Sequence, residues 1–222
     1  MKSIKEKLES LELNEDMPIA MLEDWVYGVS EFLGTIGLHA IEKSWKLLHE
    51  FDGSEFGLDR NLELRQLTNN IDFVLGFKSV VDDYTNEPME RFVVVMRLDC
   101  LRLGTVERYF GVKKLIKVNQ VAVLEKYREN GIVSSVYKFL VNELGYTMIS
   151  DSVQYNGARK LWSRLSNEVE QVTVDVVDLD ANKIVKSNAQ LNHGMNPEQY
   201  NREFWSEDKS KENIRFLLKR IQ

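Results

Sequence analysis

A mixed α/β (α+β) fold with a mixed sheet, a helical N-terminal region and a C-terminal extension is the class this sequence predicts. Three observations predict it. Between residues 71 and 124, three segments are dense in β-branched and aromatic residues. After them, helix and strand patterns alternate as far as residue 179. On both flanks, apolar residues recur at helical spacing.

The elements follow in order. Ile4, Leu8 and Leu11 make one face of a short charged helix. Asp16 is placed to cap a second helix, with Pro18 tolerated in its first turn and Ile19, Leu22, Val26, Val29 and Leu33 as its stripe. Beyond Gly34 and Gly37 a third stripe runs through Leu38, Ile41, Trp45 and Leu48, so residues 1–60 read as a helical region packed on the core. From about residue 61 the pattern changes. Strands are expected over 71–81, 91–103 and 114–124, with a turn at TNEP, 85–88. A helix follows from Gly131 to Leu144, carrying Val133, Tyr137 and Leu140 on one face and stopped by Gly145. Residues 146–150 are a short strand, 156–166 a helix and 172–179 a strand. That gives β-β-β-α-β-α-β over 61–180. Residues 181–222 are mostly polar until a terminal amphipathic helix with Ile214, Leu217, Leu218 and Ile221 on one face.

Bulk properties narrow the functional classes. The 222 residues are ample for a real core, and 43% hydrophobic with 29% charged residues is ordinary for a globular protein. A net charge of −6 gives no indication of nucleic-acid binding through overall charge. The single cysteine, Cys100, rules out an internal disulfide and makes a reducing compartment the default. MKSIKEKLES places charges where a signal peptide needs an apolar run, and no 18-residue apolar stretch occurs. A soluble cytoplasmic protein, away from membranes, is the expectation. His39, His49 and His193 have no metal-ligand spacing with one another or with Cys100, so no metal site is expected.

The segment most suggestive of chemistry is VLEKYRENGIV, 123–133. A strand ends, polar residues turn the chain, and a helix begins near Gly131. The first N–H groups of a helix lack internal partners and carry the positive end of its dipole. A diphosphate at such a turn satisfies several of those donors together. A glycine lets backbone and phosphate approach closely, and Arg128 can add charge or fix the loop. Many helices begin this way and bind nothing.

Context gives the turn its meaning. Val121-Ala122-Val123 followed by Arg128-x-x-Gly131-Ile132-Val133 resembles the acetyl-CoA signature of the GNAT superfamily of N-acetyltransferases. Ala158-x-x-Leu161-Trp162 resembles the Ala-x-x-Leu-Tyr of that family's next helix, and the likeness covers about residues 61–180. Ser150-Asp151 with Gly157-Ala158-x-x-Leu161-Trp162 is similar, more narrowly, to GNAT-like proteins encoded by bacteriophages. The resemblance implies a GNAT-like acyl-CoA N-acyltransferase fold, acetyl-CoA as co-substrate and a primary amine as acceptor, on a small molecule or a protein. It implies that Arg128, Glu129, Asn130, Gly131, Ile132 and Val133 surround the diphosphate. Backbone groups of Val121, Ala122 and Val123 would pair with pantetheine, and Asn156 and Trp162 would line the coenzyme. In such folds the strand before the turn diverges from its successor, and an N–H near its end polarises the thioester carbonyl.

Catalytic groups are less defined. The family's Gly or Ala after the cradle is Val133 here, its Asn three residues before the helix Ala is Tyr155, and the Tyr that protonates the leaving thiolate is Trp162. An indole N–H is no general acid at neutral pH. The strand 114–123 has no carboxylate and offers Asn119 and Gln120 as neutral polar groups. Asp151 is therefore the candidate base, and Tyr155 a candidate acid or pocket wall. Asp151 as a turn cap and Tyr155 as a packing residue are the plain alternatives. At this level two functions stay open: an N-acetyltransferase, or a GNAT-like scaffold that has lost catalysis and binds a partner. Either admits a homodimer.

Overall fold

The computed structural model describes residues 45–67, 73–81, 88–100, 110–112, 114–123, 127–151, 156–168, 171–189 and 213–221. The chain divides into two compact units. One comprises residues 16–98 and 120–132, and the other residues 1–15, 99–119 and 133–222.

The first unit is an antiparallel meander. Its strands are β1 (Trp45–Phe51), β2 (Leu62–Leu67), β3 (Phe73–Val81) and β4 (Pro88–Cys100), whose last two residues fall in the other unit. Each pairs antiparallel with the next. Leu62, Leu64, Val93, Val94, Met96 and Leu98 are buried in it. The expected helix through Trp45 and Leu48 is corrected here: both lie in β1. Trp45–Phe51 sits next to an anchor in sequence, because Trp45 to Phe51 pairs residue by residue with Leu67 to Leu62 around one bulge. Tertiary pairing outweighs a weak helical stripe. A boundary at residue 60 would therefore cut a hairpin. The remaining N-terminal expectations, residues 1–44, lie outside the described residues, as does most of TNEP.

The connection between β1 and β2 is a closed loop. Gly53–Phe56 forms a 3-10 turn capped by Asp52, whose Oδ1 accepts the Ser54 N–H at 2.9 Å. That bond holds the Asp52 carboxyl below its usual range. Gly57 ends the turn in the left-handed region at φ 71°, where glycine is the residue without steric cost. The Gly53 N–H reaches Asn61 Oδ1 at 3.3 Å, and Asn61 Nδ2 donates to Glu50 Oε1 at 2.8 Å.

The second unit is a mixed sheet with two helices among the described residues. Its elements are β5 (Leu115–Val123), α1 (Ile132–Asn142), β6 (Thr147–Ile149), α2 (Asn156–Asn167), β7 (Val172–Asp178), β8 (Lys183–Lys186) and β9 (Ile214–Arg220). The unit boundaries fall inside β5, after Asn119, and after the first residue of α1. The strand order is β5-β6-β9-β7-β8, with β5 and β6 parallel and the remaining pairs antiparallel. Both helices match their expected spans closely. α1 buries Ile132, Val136, Tyr137, Leu140 and Val141, a single face at helical spacing. It stops where expected: Gly145 is left-handed at φ 70°, and the Tyr146 N–H closes the end on the Leu140 carbonyl at 3.0 Å.

The terminal amphipathic helix is not formed. Residues 214–220 are β9, a central strand between β6 and β7. Arg215, Phe216, Leu217 and Leu218 are all buried, so both faces of this strand are covered and its period-2 alternation disappears. Ile214, Leu217, Leu218 and Ile221 then fit helical spacing by coincidence, a known ambiguity of short apolar runs. Residues 181–222 also supply β8, so the segment expected as an extension contributes two strands to the sheet.

Ser150 ties the short β6 into this arrangement. Its N–H donates to the Phe216 carbonyl at 2.9 Å, and its Oγ accepts the Phe216 N–H at 3.0 Å. Ser150 is 1% exposed. Removing the hydroxyl strands a buried N–H, so Ser150→Ala should lower stability by about 1–3 kcal/mol in a denaturant melt.

Candidate functional site

Two loci carry the sequence-expected residues, one in each unit. The first is the turn after β5. Val121, Ala122 and Val123 are the last residues of that strand, with Val121 and Val123 half-buried. The strand pairs with β6 over three residues only, Leu115↔Thr147, Ile116↔Met148 and Lys117↔Ile149. Strand β6 ends at Ile149, and β5 runs on for six residues, 118–123. Its N–H and C=O groups on that edge thus continue past the end of the neighbouring strand. Backbone groups in this state are the kind that take a strand-like ligand.

Beyond β5, residues 127–131 form a tight turn that leads directly into α1. Glu129 has φ 67° and Gly131 φ 81°, so two residues of the turn are left-handed. Glu129 adopts that conformation against the preference of a side-chain-bearing residue. Alternation of handedness turns successive N–H groups toward one side, which is the geometry of an anion-binding nest. No acidic residue occupies the first turn of α1, so nothing there opposes a bound anion.

Side chains brace the turn. Arg128 is exposed, and its Nε donates to the Val123 carbonyl at 3.1 Å, linking the start of the turn to the end of β5. Asn130 Nδ2 reaches the Phe56 carbonyl at 3.4 Å, fastening the turn to the capped loop between β1 and β2. Phe56 is itself buried against Phe51, ring centroids 6.2 Å apart. Ile132 is buried, and Val133, at the position the family gives to Gly or Ala, is half-buried on α1. Of the two roles open to Arg128, the structure shows loop fixing.

The second locus is Asp151, just past β6. Its Oδ1 lies 3.3 Å from Nζ of Lys117, and the two differ sharply in exposure: Lys117 is 1% exposed and Asp151 29%. The ammonium is thus the inner member of the pair and the carboxylate the outer one. Asp151 was expected either to act as a base or to cap the turn; the structure adds a third occupation, counter-ion of a buried lysine. Lys117 escaped sequence reading because a lone lysine in an apolar strand looks like an outward-facing residue. The available signal was its place in LIKV, where period-2 alternation puts it on the side of Leu115. Tyr155 lies outside the described residues. Asn156 is the first residue of α2.

Trp162, expected to line the coenzyme, sits in the core of the second unit at 2% exposure. Its ring lies 6.2 Å from Tyr137 and 5.9 Å from Phe216, centroid to centroid. Burial pushes the Tyr137 phenol well above the ordinary tyrosine range, so it stays neutral and offers no proton-transfer group near pH 7. Glu168, missed by sequence reading, holds the two helices together: it takes Lys138 Nζ at 2.9 Å and Arg164 Nε at 3.2 Å.

Among the described residues no cluster of three or more His, Cys, Asp or Glu is placed to hold a metal ion, and no helix is long and apolar enough to cross a membrane. Comparisons with protein-family models, curated proteins and solved structures find no match.

Proposed function

We propose that the protein is an acyl-CoA-dependent N-acyltransferase of GNAT type, moving an acetyl group from acetyl-CoA to a primary amine on a small molecule or a protein. The observation that carries this reading is the β5–turn–α1–β6 unit. Strand β5 leaves its parallel partner after three residues, and the chain then enters α1 through a turn with left-handed Glu129 and Gly131. The strand edge suits the amides of pantetheine, and the turn suits a diphosphate. In this reading Val121 to Val123 and residues 128–133 bind through the backbone. The amine attacks the thioester carbon directly, and positioning supplies much of the rate.

The test is calorimetric titration with acetyl-CoA. The wild-type protein should bind saturably. Gly131→Asn keeps a residue that tolerates positive φ and should retain most of the affinity. Gly131→Glu adds a carboxylate to the same turn and should weaken binding at least about tenfold, or 1.4 kcal/mol. Equal affinity in the two variants contradicts a diphosphate at this turn.

The buried position of Trp162 favours a second reading, a GNAT-like scaffold that acts by binding a partner. A folded wild-type sample that gives no heat with acetyl-CoA selects it.

A further inference from the structure

We propose that Lys117 is a positioning residue for acyl transfer, fixing the Asp151 carboxylate that takes the proton from the acceptor ammonium. This rests on the acyltransferase reading above.

The argument begins with the ladder. Lys117 pairs with Ile149, the last pair between β5 and β6, and Asp151 follows two residues later in the chain. By strand alternation, Lys117 shares a face with Leu115. Leu115 and Ile149 belong to an apolar cluster with Phe110, Val112, Val177, Leu179 and Leu217. An ammonium on such a face is costly to bury, and an apolar side chain of similar volume often does as well or better for stability. What the lysine provides that methionine would not is a fixed positive partner at the end of the ladder. That partner holds a 29% exposed carboxylate in one place, just beyond the three-residue pairing.

The proton balance is complete. The acceptor ammonium gives one proton to Asp151, directly or through water, and the freed nitrogen forms the C–N bond at the thioester carbonyl. The C–S bond breaks with its electron pair on sulfur, and the proton lost from nitrogen as the amide forms ends on the departing thiolate. Lys117 stays an ammonium throughout.

The experiment measures acetyl-CoA binding by calorimetry and CoA release with a panel of primary alkylamines and lysine-containing peptides. It uses wild type, Lys117→Met, Lys117→Arg and Asp151→Asn, each checked for folding by thermal melt. The expected result is unchanged coenzyme affinity in all four. In Lys117→Met and Asp151→Asn, kcat should fall by about 100-fold, with KM for the amine within a few-fold of wild type. Lys117→Arg should restore kcat to within about tenfold, because it keeps the charge. A wild-type protein that fails to bind acetyl-CoA removes the acyltransferase reading and this proposal with it. Coenzyme binding without turnover on any amine, wild-type kcat in Lys117→Met, or no recovery in Lys117→Arg overturns the proposal alone. Should Lys117→Met not fold, kcat of Lys117→Arg against Asp151→Asn decides: near wild type in the first and depressed in the second supports it, and any other pattern overturns it.

Discussion

Gly53→Ala is expected to destabilise the protein by about 3 kcal/mol or more. A Cβ built at this position would lie 1.8 Å from the Arg60 carbonyl oxygen and 2.6 Å from its carbon. Both are backbone atoms, so no rotamer change relieves the clash. The loop is closed at both ends by the β1–β2 ladder, which begins again at Phe51↔Leu62. It is closed across its middle by the Leu58 N–H to Gly53 carbonyl bond at 2.9 Å. Opening it enough for a methyl group breaks that bond and the Gly53–Asn61 contact together. The consequence should extend to function. Asn130 of the turn after β5 is fastened to Phe56 in this loop, so acetyl-CoA affinity should fall even where Gly53→Ala still folds. Gly157→Ala is the control. An added Cβ there meets nothing within 4 Å, and alanine is the better helix former. Denaturant melts of the two variants measure the difference, and equal stability would contradict the loop geometry.

Asp175→Ala should be the most damaging change of a charged residue, costing about 2–4 kcal/mol. Asp175 is fully buried on β7. One oxygen accepts the Asn188 N–H at 2.9 Å, and the other is paired with Lys219 on β9. The carboxylate therefore joins the end of the β7–β8 hairpin to the central strand. Alanine leaves the Asn188 N–H without its acceptor and the Lys219 ammonium without its partner. Because Lys219 is 31% exposed, it can regain water, which keeps the expected loss below that of a wholly buried pair. Asp175→Asn retains an acceptor for Asn188 and should recover about 1 kcal/mol or more. A melt in which Asp175→Ala matches wild type would show that the hairpin is held otherwise.

Local signals in the sequence located most of the regular elements. Both helices announced themselves through one-face periodicity and, for α1, through Gly145 at its stop, because these cues need no knowledge of distant partners. Strands β3, β4, β5 and β7 were legible for the same reason: β-branched runs bounded by polar residues. The failures share a cause. β1 was read as a helix and β9 as an amphipathic helix because each depends on pairing with segments far along the chain. β9 is inserted between β6 and β7, and only there does its run Phe216-Leu217-Leu218 make sense as a strand covered on both faces. β8 is short and half polar, with Lys183 and Val185 exposed, so it carries no pattern of its own.

The candidate site divides in the same way. The turn with Gly131 was visible because the backbone strain it relieves is local, and the positive φ of Glu129 shows the strain to be wider than the glycine alone. The braces on that turn, Arg128 to Val123 and Asn130 to Phe56, could not be read: one needs the loop's shape, and the other joins residues 74 apart in sequence. Lys117 remained hidden because its partner arrives through the β5–β6 ladder. Trp162 matched a motif by spacing, yet its ring serves the core between Tyr137 and Phe216. Spacing tells where a residue lies on a helix; it does not tell which neighbour claims it.

A crystal structure of the protein grown with acetyl-CoA tests the central claim most directly. The account predicts diphosphate oxygens about 3 Å from main-chain nitrogens between Arg128 and Val133, with the pantetheine arm along Val121 to Val123. Coenzyme bound elsewhere, or that turn closed by its own side chains in a crystal soaked at saturating coenzyme, would contradict it.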